Sequence, residues 1–174
     1  MNPKQKNSNL GNGNFYFTDY RGPNGVWTKK EKGFFTGGFD IEETYPTYAH
    51  YAITELTRHQ LVHFIISTNM DGLHLRTGLP VSLISEVHGN SYKERCEECE
   101  REYYRQYDTL FTVIKSRSHL TGRYCDVCED ANLKDTIVHF SEKMFKKDND
   151  SAMYHSSKSD LALVLGYFST LSPQ

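Results

Sequence analysis

Thr44 to His74 reads TYPTYAHYAITELTRHQLVHFIISTNMDGLH, and the order of patterns within it decides the fold class. Tyr48, Ala52, Ile53 and Leu56 recur at helical spacing behind Pro46, which suits an early helical position, so a helix is predicted over Thr44 to Gln60. Leu61 to Ser67 is a short apolar run of the kind buried in a parallel sheet. A polar turn, Thr68 to Gly72, follows at once. Working outward, Ile84 to His88, Thr136 to Phe140 and Leu161 to Leu165 are further strand candidates. Helix and strand therefore alternate, and the pattern predicts an α/β sheet. Ligands of such sheets sit beyond the carboxyl ends of the strands, which makes the polar side chains of the Thr68 to His74 turn site candidates. Asn69 and Asp71 have a second reading, as caps of the turn or of the helix after it.

The four cysteines form two identical pairs, Cys96-x-x-Cys99 and Cys125-x-x-Cys128, with 25 residues between them and none left over. Two such turns close a tetrahedral thiolate cage, so a zinc ribbon is expected, inserted into the sheet domain over about 90–133. Two disulfides would consume the same thiols, but the N-terminus shows no secretion signal and a reducing compartment keeps thiols free. Four protein ligands leave no open position for water, so the zinc is expected to be structural.

The chain has 174 residues, enough for one domain with an inserted module. Its 20 Lys and Arg against 22 Asp and Glu give a formal charge of −2, which disfavours direct nucleic-acid binding; five glutamates near the first cysteine pair argue the same way. The longest apolar run, Leu161 to Phe168, is too short to cross a bilayer, so an intracellular protein without membrane association is expected. Residues 1–14 carry five Asn and few large apolar side chains, and are expected to form a disordered tail before an ordered core over 15–174.

Several motifs, in order, resemble the sirtuins, the NAD-dependent protein-lysine deacylases. Asp19 to Thr28 (DYRGPNGVWT) is similar to the family's DFRGP-x-GVWT, Ser67 to His74 to SQNxDGLH, and Glu86 to Asn90 to ELHGN. Leu133 to Glu142 resembles LRDTIVHFGE of the nuclear class IV subgroup, and Asp160 to Gly166 its DLALVLG. The resemblance implies a zinc-stabilised enzyme that transfers the acyl group of lysine to the ADP-ribose part of NAD. It implies His88 as the base that activates a ribose hydroxyl, a task suited to a neutral imidazole. It further implies cofactor contacts from Tyr20, Arg21, Trp27, Thr68, Asn69, Asp71 and Gly166, and a substrate strand laid against Val138, His139 and Phe140. Acylated lysine peptides, histone tails among them, and a nuclear location follow from the same resemblance.

The departures concern cofactor binding. Counting back from Arg21, the positions of the glycine-rich phosphate loop fall on Ser8, Asn9 and Leu10, with no apolar strand before them. Thr68 replaces a glutamine, and Gly166-Tyr167-Phe168 replaces Gly-Thr-Ser. The resemblance therefore implies an α/β fold with an incomplete Rossmann-like parallel sheet: a sirtuin core without the first strand and its phosphate loop and without the C-terminal strands, with weakened NAD binding. A zinc-stabilised protein-binding module that does not turn over is the alternative function.

Overall fold

The computed structural model describes residues 44–112, 118–139 and 141–166. The chain divides into two compact units, one of residues 40–163 and one of 1–39 with 164–174. Of the second unit only Val164 to Gly166 are described, in irregular backbone.

In the larger unit α1 spans Tyr48–Arg58. It starts two residues after Pro46, where Thr47 serves as N-cap and its N–H donates to His50 Nδ1 at 3.1 Å. The helix is shorter than the predicted Thr44 to Gln60, because Pro46 holds the preceding residue out of helical backbone. Ile53 packs on a core of Ile65, Leu79 and Ile84, but Tyr48 and Leu56 are exposed. The helix instead buries Thr54 and Thr57, and Thr54 Oγ1 lies 2.5 Å from Thr77 Oγ1. Apolar spacing thus located the helix and misassigned part of its inner face.

Strand β1 (Ile65–Ser67) is followed by α2 (Leu73–Arg76) and β2 (Ile84–Glu86). The strands pair in parallel, with Ile65 opposite Ile84 and Ser67 opposite Glu86. This is the expected α/β arrangement in its smallest form.

The inserted module is a four-stranded antiparallel sheet of β3 (Lys93–Cys96), β4 (Glu102–Tyr104), β5 (Leu120–Tyr124) and β6 (Asn132–Asp135), in the order β4-β3-β6-β5. Its small core is Cys96, Cys125, Ala131 and Leu133, with Tyr103 and Cys128 against it. Helix α3 (Lys146–Lys158) returns to the parallel pair, where the Ser85 hydroxyl donates to the Asp148 carbonyl at 2.6 Å.

Two predicted strands are corrected. Thr136 to His139 is irregular: the strand lies just before it as β6, the Asp135 carboxylate takes the Ile137 N–H at 2.9 Å, and the Thr136 hydroxyl is spent on the Asn90 carbonyl. Those side-chain bonds replace ladder partners. Leu161 to Leu165 pairs with no described strand, and Leu161 and Leu163 are 86% and 67% exposed. A strand exists only through its partner, so an apolar run alone does not make one.

Candidate functional site

Because β1 and β2 are parallel and in register, the segments leaving them, Thr68 to Gly72 and Val87 to Asn90, emerge at the same carboxyl edge. The Ser91 N–H donates to the Met70 carbonyl at 2.9 Å and joins the two segments. Thr68 and Asn69 are exposed there. Asp71 Oδ1 accepts the Leu73 N–H at 2.9 Å, so this carboxylate does cap α2 while one face stays accessible.

His88 is exposed, and the backbone that carries it is fixed from both sides. Its carbonyl accepts the Val138 N–H at 3.0 Å. Gly89 has φ 86°, and a Cβ at this position would lie 1.8 Å from the Thr136 carbonyl oxygen, so only glycine lets the two loops approach this closely. Asn90 is 1% exposed and satisfied on every side. Its side-chain amide donates to Glu86 Oε1 at 2.7 Å, its Oδ1 accepts the Tyr92 N–H at 2.8 Å, and its N–H donates to Thr136 Oγ1 at 3.0 Å. The structure therefore brings together Thr68, Asn69, Asp71, His88, Val138 and His139 of the residues singled out in the sequence. Tyr20, Arg21, Trp27 and Phe140 lie outside the described residues, as do Ser8, Asn9 and Leu10. Gly166 belongs to the other unit, at φ 69°.

Glu86, two residues before His88, belongs to a buried ion cluster. Lys93 Nζ is 3.7 Å from Glu86, 3.7 Å from Glu102 and 4.0 Å from Asp148. Arg95 reaches Glu102 at 2.5 Å and Asp148 at 3.0 Å. Burial pushes the Glu86 carboxyl up to about 7 against the pull of Lys93. Burial acts the same way on Glu102, but the hydrogen bond from Lys147 and the charges of Lys93 and Arg95 outweigh it and hold Glu102 down to about 2. Sequence reading missed this cluster, and Asn90 and Thr136 with it. Its members come from β2, β3, β4 and α3, and scattered charges carry no local signal of burial.

The four thiols meet at one end of the antiparallel sheet, with all Sγ atoms within 4.8 Å of one another. Cys96 and Cys128 are 4.0 Å apart and Cys99 and Cys125 3.7 Å. A tetrahedron with zinc–sulfur bonds of about 2.3 Å has edges of about 3.8 Å, so the cage has the size zinc requires. Backbone N–H groups of Glu98 and Cys99 point at Cys96 Sγ, and that of Cys128 at Cys125 Sγ, as thiolate ligands need. The Tyr103 hydroxyl, 3.1 Å from Cys125 Sγ, holds that thiol down to about 6. The donor set fits one structural zinc ion.

Parallel strands with polar loops at their carboxyl edge and a four-thiolate module inserted after the second strand define a Rossmann-like, zinc-stabilised domain. The chain belongs to the Sir2 family, whose model matches residues 25–173. It is 48% identical over 153 residues to the NAD-dependent protein deacetylase sirtuin-7 of Rattus norvegicus, covering 85% of this chain and 38% of that protein. To the NAD-dependent protein deacetylase Sirt6 of Drosophila melanogaster it is 36% identical over 158 residues, 85% of this chain and 48% of that protein. The chain thus spans less than half the length of these relatives. Among solved structures, a Sir2 homolog–NAD complex superposes with a TM-score of 0.51 at 26% identity, over 69% of this chain and 43% of that one. The family and fold expected from the motifs are borne out. Among the described residues no helix is long and apolar enough to cross a membrane.

Proposed function

We propose that this chain carries the histidine base and the substrate edge of an NAD-dependent protein-lysine deacylase. The observation that supports it most is the placement of His88: exposed at the carboxyl edge of the parallel strands, on a loop locked by Gly89, Asn90 and Thr136, with its carbonyl bonded to the segment that would meet the peptide. NAD, when bound, would supply the ribose that accepts the acyl group, with nicotinamide as the leaving group, and His88 would serve as the base that takes the proton of a ribose hydroxyl. Asn69 and Asp71 would address nicotinamide and its ribose from the loop after β1, with Thr68 beside them at the position of the family's glutamine. Val138 and His139 offer backbone to an extended acyl-lysine peptide. The zinc keeps the module folded and takes no part in the chemistry.

Tyr20, Arg21, Trp27 and Gly166 would complete the cofactor contacts, and Phe140 the peptide edge, by their motif positions alone. The domain limits keep their sequence-based reading, a core over 15–174 with the zinc module inserted. Histone tails as substrates and a nuclear location rest on the likeness of Leu133 to Glu142 to the nuclear subgroup. A binding-only module is the second reading, favoured by Thr68, whose side chain is shorter than the glutamine it replaces.

The experiment is nicotinamide release and deacetylation by the zinc-loaded protein with NAD and an acetylated histone peptide. The expected result is turnover that His88→Ala lowers by about a thousandfold at unchanged zinc content. Peptide binding without any nicotinamide release establishes the binding-only reading. Turnover indifferent to His88→Ala refutes His88 as the base.

A further inference from the structure

The geometry points to a cap on the substrate edge: the Glu142 carboxylate, held by His119, occupies the backbone N–H of His139 that a peptide carbonyl would take, so the peptide must displace Glu142 to bind. This rests on the reading of Val138 and His139 as the peptide edge. The N–H of Val138 is spent on the His88 carbonyl at 3.0 Å, and the next backbone donor along this edge is that of His139. That donor goes to Glu142 Oε2 at 2.8 Å.

The carboxylate is held at its other oxygen too. Glu142 Oε1 lies 3.1 Å from His119 Nε2, and His119 Nδ1 lies 3.1 Å from Asp135 Oδ1. Asp135 is 2% exposed and its Oδ1 also receives the Ile137 N–H at 2.9 Å, which makes it a fixed anchor on β6. The chain Asp135–His119–Glu142–His139 therefore runs from the sheet of the zinc module to the peptide edge. Asp135, His119 and Glu142 line an open cleft of about 360 Å³ that Val138 also borders. A carboxylate acceptor is a stronger partner for an N–H than a neutral peptide carbonyl, so the cap is a real competitor. His119 acts through Glu142 and is a positioning residue.

A supporting role and a cap predict opposite signs. If Glu142 and His119 only support the edge, removing them weakens peptide binding; if they cap it, removal strengthens binding. The test is fluorescence anisotropy of a labelled histone-tail peptide with one acetyl-lysine against the zinc-loaded protein, with zinc content and melting temperature showing that each variant is folded. Glu142→Ala should lower Kd by about tenfold and His119→Ala in the same direction by less. A second measurement needs no variant: the His139 amide of the unmodified protein should exchange hydrogen at least about tenfold slower than an open amide. Weaker or unchanged binding by folded variants, or a freely exchanging His139 amide, overturns the cap and leaves the proposed function standing. Absence of peptide binding by every form, the uncapped ones included, overturns both.

Discussion

Replacing Gly89 by alanine tests the arrangement that holds His88. The backbone at Gly89 has φ 86°, which costs an L-residue roughly 1 to 2 kcal/mol by itself. The added Cβ would also meet the Thr136 carbonyl oxygen at 1.8 Å, so the two loops must part by more than an ångström. That separation breaks the Val138 N–H to His88 bond and both bonds between Asn90 and Thr136, each of 3.0 Å. At about 1 kcal/mol per bond, Gly89→Ala should cost about 4 to 5 kcal/mol in all. Gly78→Ala is the matched control. Gly78 has φ 84°, but its nearest neighbour to a new Cβ is the tip of Arg58 at 3.7 Å, so only the backbone cost, roughly 1 to 2 kcal/mol, applies. Urea unfolding of the two zinc-loaded variants measures the difference. Equal losses for both would refute the close approach of Gly89 to Thr136 and, with it, the account of how His88 is positioned.

Three further predictions follow from the module and the ion cluster. Purified protein should contain one zinc per chain, and a chelator should lower its melting temperature and abolish the structure of the four-stranded sheet, because metal binding and folding of such modules are coupled; no stoichiometric zinc refutes the cage. Glu86 is protonated up to about pH 7 when folded and releases its proton near 4.5 when unfolded, so its contribution is full below pH 4.5 and about 3 kcal/mol is lost as pH rises to 7. Glu102, held down to about 2, contributes fully above 4.5 and titrates below that window, so Glu86→Gln should flatten the decline in a pH series of urea unfolding; an unchanged slope refutes the assignment. Ser141 has φ 73° where the subgroup motif carries glycine, so Ser141→Gly should raise stability by about 0.5 to 1 kcal/mol in the same assay, and a loss would show that the serine is not strained.

Spacing made the zinc cage legible: two identical cysteine pairs with nothing left over admit few uses, and the sulfurs do converge. The β1 turn was legible because it follows a compact apolar run, and the Glu86 to Asn90 loop only through its motif, since the predicted strand Ile84 to His88 ends at Glu86; parallel pairing sends both segments to a common edge. Strand positions after the module were not legible. Thr136 to Phe140 has strand-like composition, but Asn90 and Asp135 take over its hydrogen bonding, and both partners are polar side chains that no periodicity reveals. The ion cluster was hidden for the same reason. Lys93, Glu86, Glu102, Arg95 and Asp148 read as ordinary solvated charges until the sheet folds them inward.

The zinc module is more than an appendage to the parallel pair, because two separate links carry its fold to His88. The first is charge: Lys93 at the start of β3 reaches Glu86 at the end of β2, two residues before His88. The second is backbone: β6 runs directly into Thr136, whose hydroxyl bonds Asn90, and into Val138, whose N–H bonds His88. Unfolding of the module, as expected on metal loss, would therefore remove support from opposite sides of one loop. The same route continues past Asp135 and His119 to Glu142, so the module that supports the His88 loop also reaches the Glu142 carboxylate. A four-thiolate site can in this way set the geometry of a distant loop that only glycine permits at its tightest point.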